Sequence, residues 1–122
     1  MKSIKHIVFI CEPARKETHR WPTEAKKDLG SVLTLLQLGA SIGMPDVRPM
    51  PAIAKGAAEI RIKDQSGIYR AFFIIEIELG ILVFHGFKKK AQQTPQNEIE
   101  TGKNRLKAFL KELKNEKELR NR

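Results

Sequence analysis

Residues 55–90 read KGAAEIRIKDQSGIYRAFFIIEIELGILVFHGFKKK, and their alternation decides the fold. Ala58, Ile60 and Ile62 alternate with Glu59, Arg61 and Lys63, so a strand built from them has one apolar and one charged face. Asp64-Gln65-Ser66-Gly67 is turn chemistry, and a symmetric closure sets Lys63 opposite Ile68, Arg61 opposite Arg70 and Glu59 opposite Phe72. The next strand, Ile68 to Glu78, is apolar on both faces, as expected of a central strand. Leu79-Gly80 predicts a two-residue hairpin loop, in whose register Ile74 faces His85, Phe72 faces Phe87 and Arg70 faces Lys89. Arg61, Arg70, His85, Phe87 and Lys89 then share one face of the sheet. Ile60, Ile62, Phe73, Ile75, Leu82 and Phe84 share the other, the expected core face.

Upstream, IKHIVFIC at 4–11 has the β-branched and aromatic character of a first strand, closed off by the charged EPARKE segment. Cys11 has no second cysteine to pair with, and after an apolar run it is expected as a packed thiol. Pro22 suits a helix start, and Ala25, Leu29, Val32, Leu33 and Leu36 fall at helical spacing until Gly39 can end the helix in a left-handed cap. Trp21, just before it, is expected as a hydrophobic staple rather than a base-stacking ring. Residues 40–55 hold Gly43, Pro45, Pro49 and Pro51 with little periodicity, and predict a surface loop carrying Arg48 and Lys55. Downstream, Thr94 is a possible cap and Pro95 a first helical residue. Ile99, Leu106, Phe109, Leu110 and Leu113 form the apolar stripe of a last helix, and the tail from Asn115 is expected to fray.

The 122 residues predict one domain, 1–122. A charge of +9, from 23 Lys and Arg against 14 Asp and Glu, favours a polyanionic partner. No apolar run approaches the roughly 20 residues of a spanning helix, and the first ten residues do not form a secretory leader, so a cytoplasmic protein without a membrane partner is expected. No Ser-His-Asp or Cys-His constellation, metal-ligand spacing or Gly-rich phosphate loop is present, and no metal or cofactor is expected.

The cationic face carries the chemistry. Two arginines opposite each other on adjacent strands repel. Glu59 and Glu76 can offset this in a structural ion-pair network; a bound phosphate can offset it too, because guanidinium forks match phosphate oxygens. Cations beside an aromatic ring and a histidine fit single-stranded RNA, with Lys55, Lys88 and Lys90 along the backbone and Tyr69 and Phe87 as stacking faces. RNA brings its own nucleophile, the 2′-hydroxyl, so cleavage asks the protein for positioning, charge stabilisation and proton transfer. In this reading Arg61 and Arg70 stabilise the developing charge, while His85 or Lys89 of the Lys88–Lys90 run assists proton transfer. The plainer readings are a hydrogen-bonded packing histidine and a solvated basic patch.

The helix ending in LLQLG, Arg48-Pro49-Met50, Glu59-Ile60-Arg61, Gly67-Ile68-Tyr69-Arg70 and Val83-Phe84-His85-Gly86-Phe87-Lys88-Lys89-Lys90 resemble, in order and spacing, the HigB-type branch of the RelE toxin superfamily, including phage-derived host-inhibition proteins. The resemblance runs from about Trp21 to Arg105. It implies an α+β, RelE-like antiparallel sheet of about four strands with helices packed on one face. It also implies a type II toxin that cleaves mRNA on the ribosome and is neutralised by a protein antitoxin, commonly one with a helix-turn-helix domain. The family's active residues are basic and lie on the open face and last strand, which here are Arg61, Arg70, His85 and the lysines after Phe87. Ala91 stands where a threonine often follows the lysine pair, and the first 20 residues match poorly. A noncatalytic basic module that binds RNA or an acidic protein, or an inactive toxin relic, is the alternative.

Overall fold

The computed structural model describes residues 6–76, 78–90 and 93–120. One sheet contains β1 (Val8–Ile10), β2 (Val47–Pro49), β3 (Ala57–Asp64), β4 (Gly67–Glu76) and β5 (Gly80–Lys88), in the order β1-β5-β4-β3-β2. Three helices, α1 (Glu12–His19), α2 (Thr23–Gln37) and α3 (Gln96–Arg120), complete the described chain. The expected α+β class holds. The sheet has one strand more than expected and is mixed, because β1 pairs with β5 in parallel. Among the described residues no helix is long and apolar enough to cross a membrane.

The Asp64 turn fixes the β3–β4 register as its chemistry predicts: Asp64 Oδ1 accepts from the Ser66 and Gly67 N–H groups, and Lys63–Ile68, Arg61–Arg70 and Glu59–Phe72 are partners. The β4–β5 register differs from expectation. Glu76 pairs with Gly80, so Ile74 faces Leu82 rather than His85, a shift of three residues. A bulge opposite Phe72/Phe73 then inserts Phe84, after which Phe72 faces His85 and Arg70 faces Phe87, a net shift of two. Two residues is one full period of a strand, so Arg70, His85 and Phe87 keep their common face. Three is not, so Leu82 moves to that same face. Leu82 and Phe84 pack with Phe72 and Ile74, whereas Val83 and Ile81 join Ile60, Ile62 and Phe73 on the other side. Ile75, expected in the core, is 41% exposed.

Both faces are covered, not one. Helix α2 buries Ala25, Leu29, Leu33 and Leu36 against Ile60, Ile62, Tyr69 and Phe73. It ends as its sequence predicts: Gly39 takes φ 85°, Ala40 N–H donates to Leu35 O at 3.0 Å and Gly39 N–H donates to Leu36 O at 3.0 Å. Helix α3 lays Leu106, Phe109 and Leu113 over Phe72, Leu82 and Phe84. Gly102 permits its close approach, because a Cβ there would lie 2.8 Å from Phe72 Cδ2. Helix α3 continues through the tail expected to fray, as far as Arg120.

Two elements escape the periodicity. The charged segment expected to close the first strand is α1, with Glu12 in its first turn and Lys16 in its last turn favourable to the helix dipole, and Pro13 near its start, where its fixed φ and missing N–H are tolerated. It buries only Ala14 and Thr18, too little for an apolar stripe. The loop expected at 40–55 contains β2, which pairs Val47–Ile60, Arg48–Glu59 and Pro49–Ala58. A proline is tolerated there because β2 is an edge strand.

Gly102→Ala and Gly30→Ala separate close packing from helix propensity. Gly30, in α2, has nothing within 4 Å of the place a Cβ would take, so its alanine variant gains up to about 1 kcal/mol. Against the fully buried Phe72 ring, Gly102→Ala loses about 1–2 kcal/mol in urea denaturation despite the same propensity gain. Equal stabilisation of both variants contradicts this packing.

Candidate functional site

One half of the α3-side sheet face is closed by that helix, and the other carries cations. Arg48 of β2, Glu59 and Arg61 of β3, Arg70 and Phe72 of β4, and His85 and Phe87 of β5 share the face through their register. The Lys89 N–H donates to Ile68 O at 2.7 Å, so the ladder continues one residue past β5. Lys89 senses the cluster: partial burial first, then the charges of Arg70 and Arg61, lower its pKa, with Arg48 adding to the effect and Glu59 opposing it.

Glu59 provides the carboxylate at the centre. It is 1% exposed, and its Oε1 accepts from Arg70 Nη1 in an ion pair whose arginine is 4% exposed. Thr94 closes the pair from above: its hydroxyl donates to Glu59 Oε2 at 2.8 Å and accepts from Arg70 Nη1 at 3.4 Å. The ion-pair answer to the Arg61–Arg70 repulsion is thus what Glu59 supplies, and among the described residues no salt bridge reaches Glu76. Removing either charge from so dry a pair costs about 3–5 kcal/mol, since the remaining one is buried alone. Among the described residues, no salt bridge reaches Arg48, Arg61 or Lys89.

The expected site residues divide accordingly. Arg61, Arg70 and Lys89 come together as expected, but Arg70 is buried rather than open. His85 is 3% exposed, with both ring nitrogens engaged: Arg105 Nη1 donates to Nδ1 at 2.7 Å, and Nε2 lies 3.2 Å from Glu98 Oε1. A ring so occupied ties β5 to α3. Phe87 is half-buried, stacked on His85 at 5.3 Å and edge-on to Phe72 at 5.4 Å, and keeps part of its surface. Tyr69 lies on the α2 face rather than beside the cations, 5% exposed and 5.1 Å from the Trp21 ring. Trp21 is the packing residue its position implied. Lys88 also belongs to that side, its Nζ 5.9 Å from the Tyr69 ring centre. Lys55 and Lys90 are exposed beside the strand ends.

Glu17, Glu98 and Arg105 carry no sequence signal for this site, because each comes from a helix far along the chain. Glu17 Oε1 accepts from Arg105 Nη1 at 2.6 Å and from the Gly86 N–H at 3.1 Å, so it completes the edge of β5 where β1 stops. Cys11 Sγ lies 3.4 Å from Phe84 O, and burial raises its pKa, as befits a packed thiol.

Burial pushes the Glu17 pKa up, but its neighbours His85 and Arg105 and the Gly86 N–H outweigh that and hold it at about 2, below its ordinary 4.5. A depressed folded-state value means that Glu17 stabilises the fold fully above about pH 4.5 and loses this as pH falls toward 2. The urea midpoint of the wild type therefore falls across that window, and Glu17→Gln is less stable at pH 7 with a shallower acid limb. Identical acid limbs contradict the assignment.

Residues 16–107 match the family described as "Phage derived protein Gp49-like (DUF891)". Among solved structures, the free Escherichia coli toxin RelE carrying two arginine-to-alanine substitutions matches with a TM-score of 0.50 at 19% identity, covering 86% of this chain and 98% of that one. No curated protein matches this chain. The family match spans helix α2, every strand from β2 to β5 and the first half of α3, the elements that build the cationic face, and the chain belongs to the phage-derived Gp49-like family with a RelE-type fold.

Proposed function

We propose that this chain is the toxin of a type II toxin–antitoxin pair, of HigB type, and that it cleaves mRNA on the ribosome. The observation that carries the reading is the convergence of Arg61, Arg70, Lys89 and Arg48 around one buried carboxylate, on a Gp49-like chain whose fold is that of a toxin. An excess of fixed positive charge at one edge of a sheet is matched to a phosphodiester that gains charge in its transition state. Arg61 and Arg70 supply that stabilisation. Lys89, its pKa lowered by burial and by Arg70 and Arg61, takes the proton of the attacking 2′-hydroxyl; the 2′-oxygen bonds to phosphorus as the P–O5′ bond breaks, leaving a 2′,3′-cyclic phosphate and a 5′-oxygen that takes a proton from water. The exposed part of Phe87 offers a base a stacking surface, and Lys55 and Lys90 lengthen the track for the backbone. The partners are the message in the decoding site and an antitoxin, of helix-turn-helix type, that covers the same cations.

The competing reading is a noncatalytic basic module that binds RNA or an acidic protein, and the burial of the Arg70–Glu59 pair is the observation in its favour.

Mapping mRNA 5′ ends in a translating extract tests the proposal. Arg61→Ala and Lys89→Ala are the informative variants, because neither strands a buried counter-charge as Arg70→Ala does. The wild type is expected to cut within translated codons only when ribosomes are present, and each variant to cut at least about tenfold less. A wild-type chain that binds ribosomes or RNA yet makes no cuts defeats the nuclease reading and leaves the binding module.

A further inference from the structure

Thr94 stands where a helix-capping threonine is expected, followed by Pro95 and by α3 from Gln96. Its hydroxyl is committed elsewhere, to Glu59 Oε2 at 2.8 Å and Arg70 Nη1 at 3.4 Å. A hydroxyl can donate to the carboxylate and accept from the guanidinium with one atom, which no aliphatic side chain of its size can do. Nη1 of Arg70 thus meets two acceptors, Glu59 and Thr94, each from a different element. A guanidinium is planar, so fixing one nitrogen restricts the directions of its other N–H groups. Among the described residues, Arg70 Nε is a buried side-chain nitrogen without a hydrogen-bond partner. A buried N–H with nothing to donate to is costly, and the guanidinium that carries it is one of the charges that lower the Lys89 pKa.

We propose that Glu59 and Thr94 form a clasp on Nη1 of Arg70 that aims its Nε–H at a non-bridging phosphate oxygen of bound RNA. This rests on reading the cationic face as the RNA site. Thr94 is then a positioning residue, acting through Arg70 without touching the RNA, and it couples the start of α3 to the strands that hold the cations. The bidentate geometry of arginine with phosphate uses two adjacent N–H groups; the clasp occupies Nη1, and because Nε is buried the RNA reaches it by displacing the atoms that cover it.

Two variants isolate the hydroxyl. Thr94→Val keeps the branched shape and leaves the ion pair intact; Thr94→Ser keeps the hydroxyl alone. The first readout is the arginine Nε–H spectrum of 15N-labelled protein titrated with a single-stranded RNA whose 2′-hydroxyls are methylated, so that it cannot be cut. The Arg70 signal is expected to shift in the wild type and in Thr94→Ser, and to lose most of that shift in Thr94→Val. The second readout is single-turnover cleavage on ribosomes, where Thr94→Val falls about tenfold with unchanged ribosome affinity and Thr94→Ser stays within about twofold of the wild type. An Arg70 signal unmoved by RNA in the wild type overturns the clasp. So does a Thr94→Val protein that matches the wild type in the spectrum, or a Ser variant that fails as the Val variant does. If the Val variant alone loses the shift while the wild type cuts no message, the nuclease reading falls and the clasp stands as part of an RNA-binding surface.

Discussion

The ion pair between Glu59 and Arg70, with side chains 1% and 5% exposed, is the constraint on which the site depends. Neither charge is tolerable there without the other, so β3 and β4 must hold one register and the start of α3 must lie where Thr94 can reach both. The pair also lets two arginines sit opposite each other on adjacent strands. Glu59 neutralises Arg70, and Arg61, Arg48 and Lys89 remain as the charge the face presents to a partner. A hydrophobic substitute for the pair would stabilise a sheet as well, but it would not leave a guanidinium fixed beside three further cations.

A second polar network does different work. His85, Arg105, Glu17 and Glu98 join β5 to α1 and α3, and the His85 ring packs on to Phe72 and Phe87, stacked on the latter. One end of the face is therefore a locked junction of three elements, and at the other Arg48, Arg61 and Lys89 keep exposed surface beside the buried pair. Lys89 lies at the accessible end, where partial burial and positive neighbours ease its loss of a proton. This division leaves His85 inside the junction and Lys89 beside the accessible cations.

The sheet's middle is legible in the sequence because the Asp64 turn has only one economical closure, and Arg61, Arg70 and Glu59 follow from it. The β4–β5 hairpin is less legible. A bulge leaves no mark on an alternating pattern of Phe, Ile and Val, and the face of Arg70, His85 and Phe87 survives only because the two register errors sum to an even number. Helix α1 escapes because a helix that buries only Ala14 and Thr18 has no stripe to read, and β2 because three residues beside prolines resemble a loop. Burial of Arg70 and His85 is invisible for a different reason. It depends on Thr94, Glu98 and Arg105 of a segment whose docking no local pattern encodes, just as Tyr69 is lost to the site through its contact with Trp21.

The central claim is that this face cleaves RNA by aiming the RNA's own 2′-hydroxyl at the adjacent phosphate. The most direct test is a translated message carrying a single 2′-deoxynucleotide immediately 5′ of a mapped cut. Cleavage at that bond is expected to vanish while cuts at neighbouring codons persist, and unmodified message is expected to end in a 2′,3′-cyclic phosphate. Cleavage at the deoxy position at the unmodified rate would contradict the account, since it requires a nucleophile other than the 2′-hydroxyl.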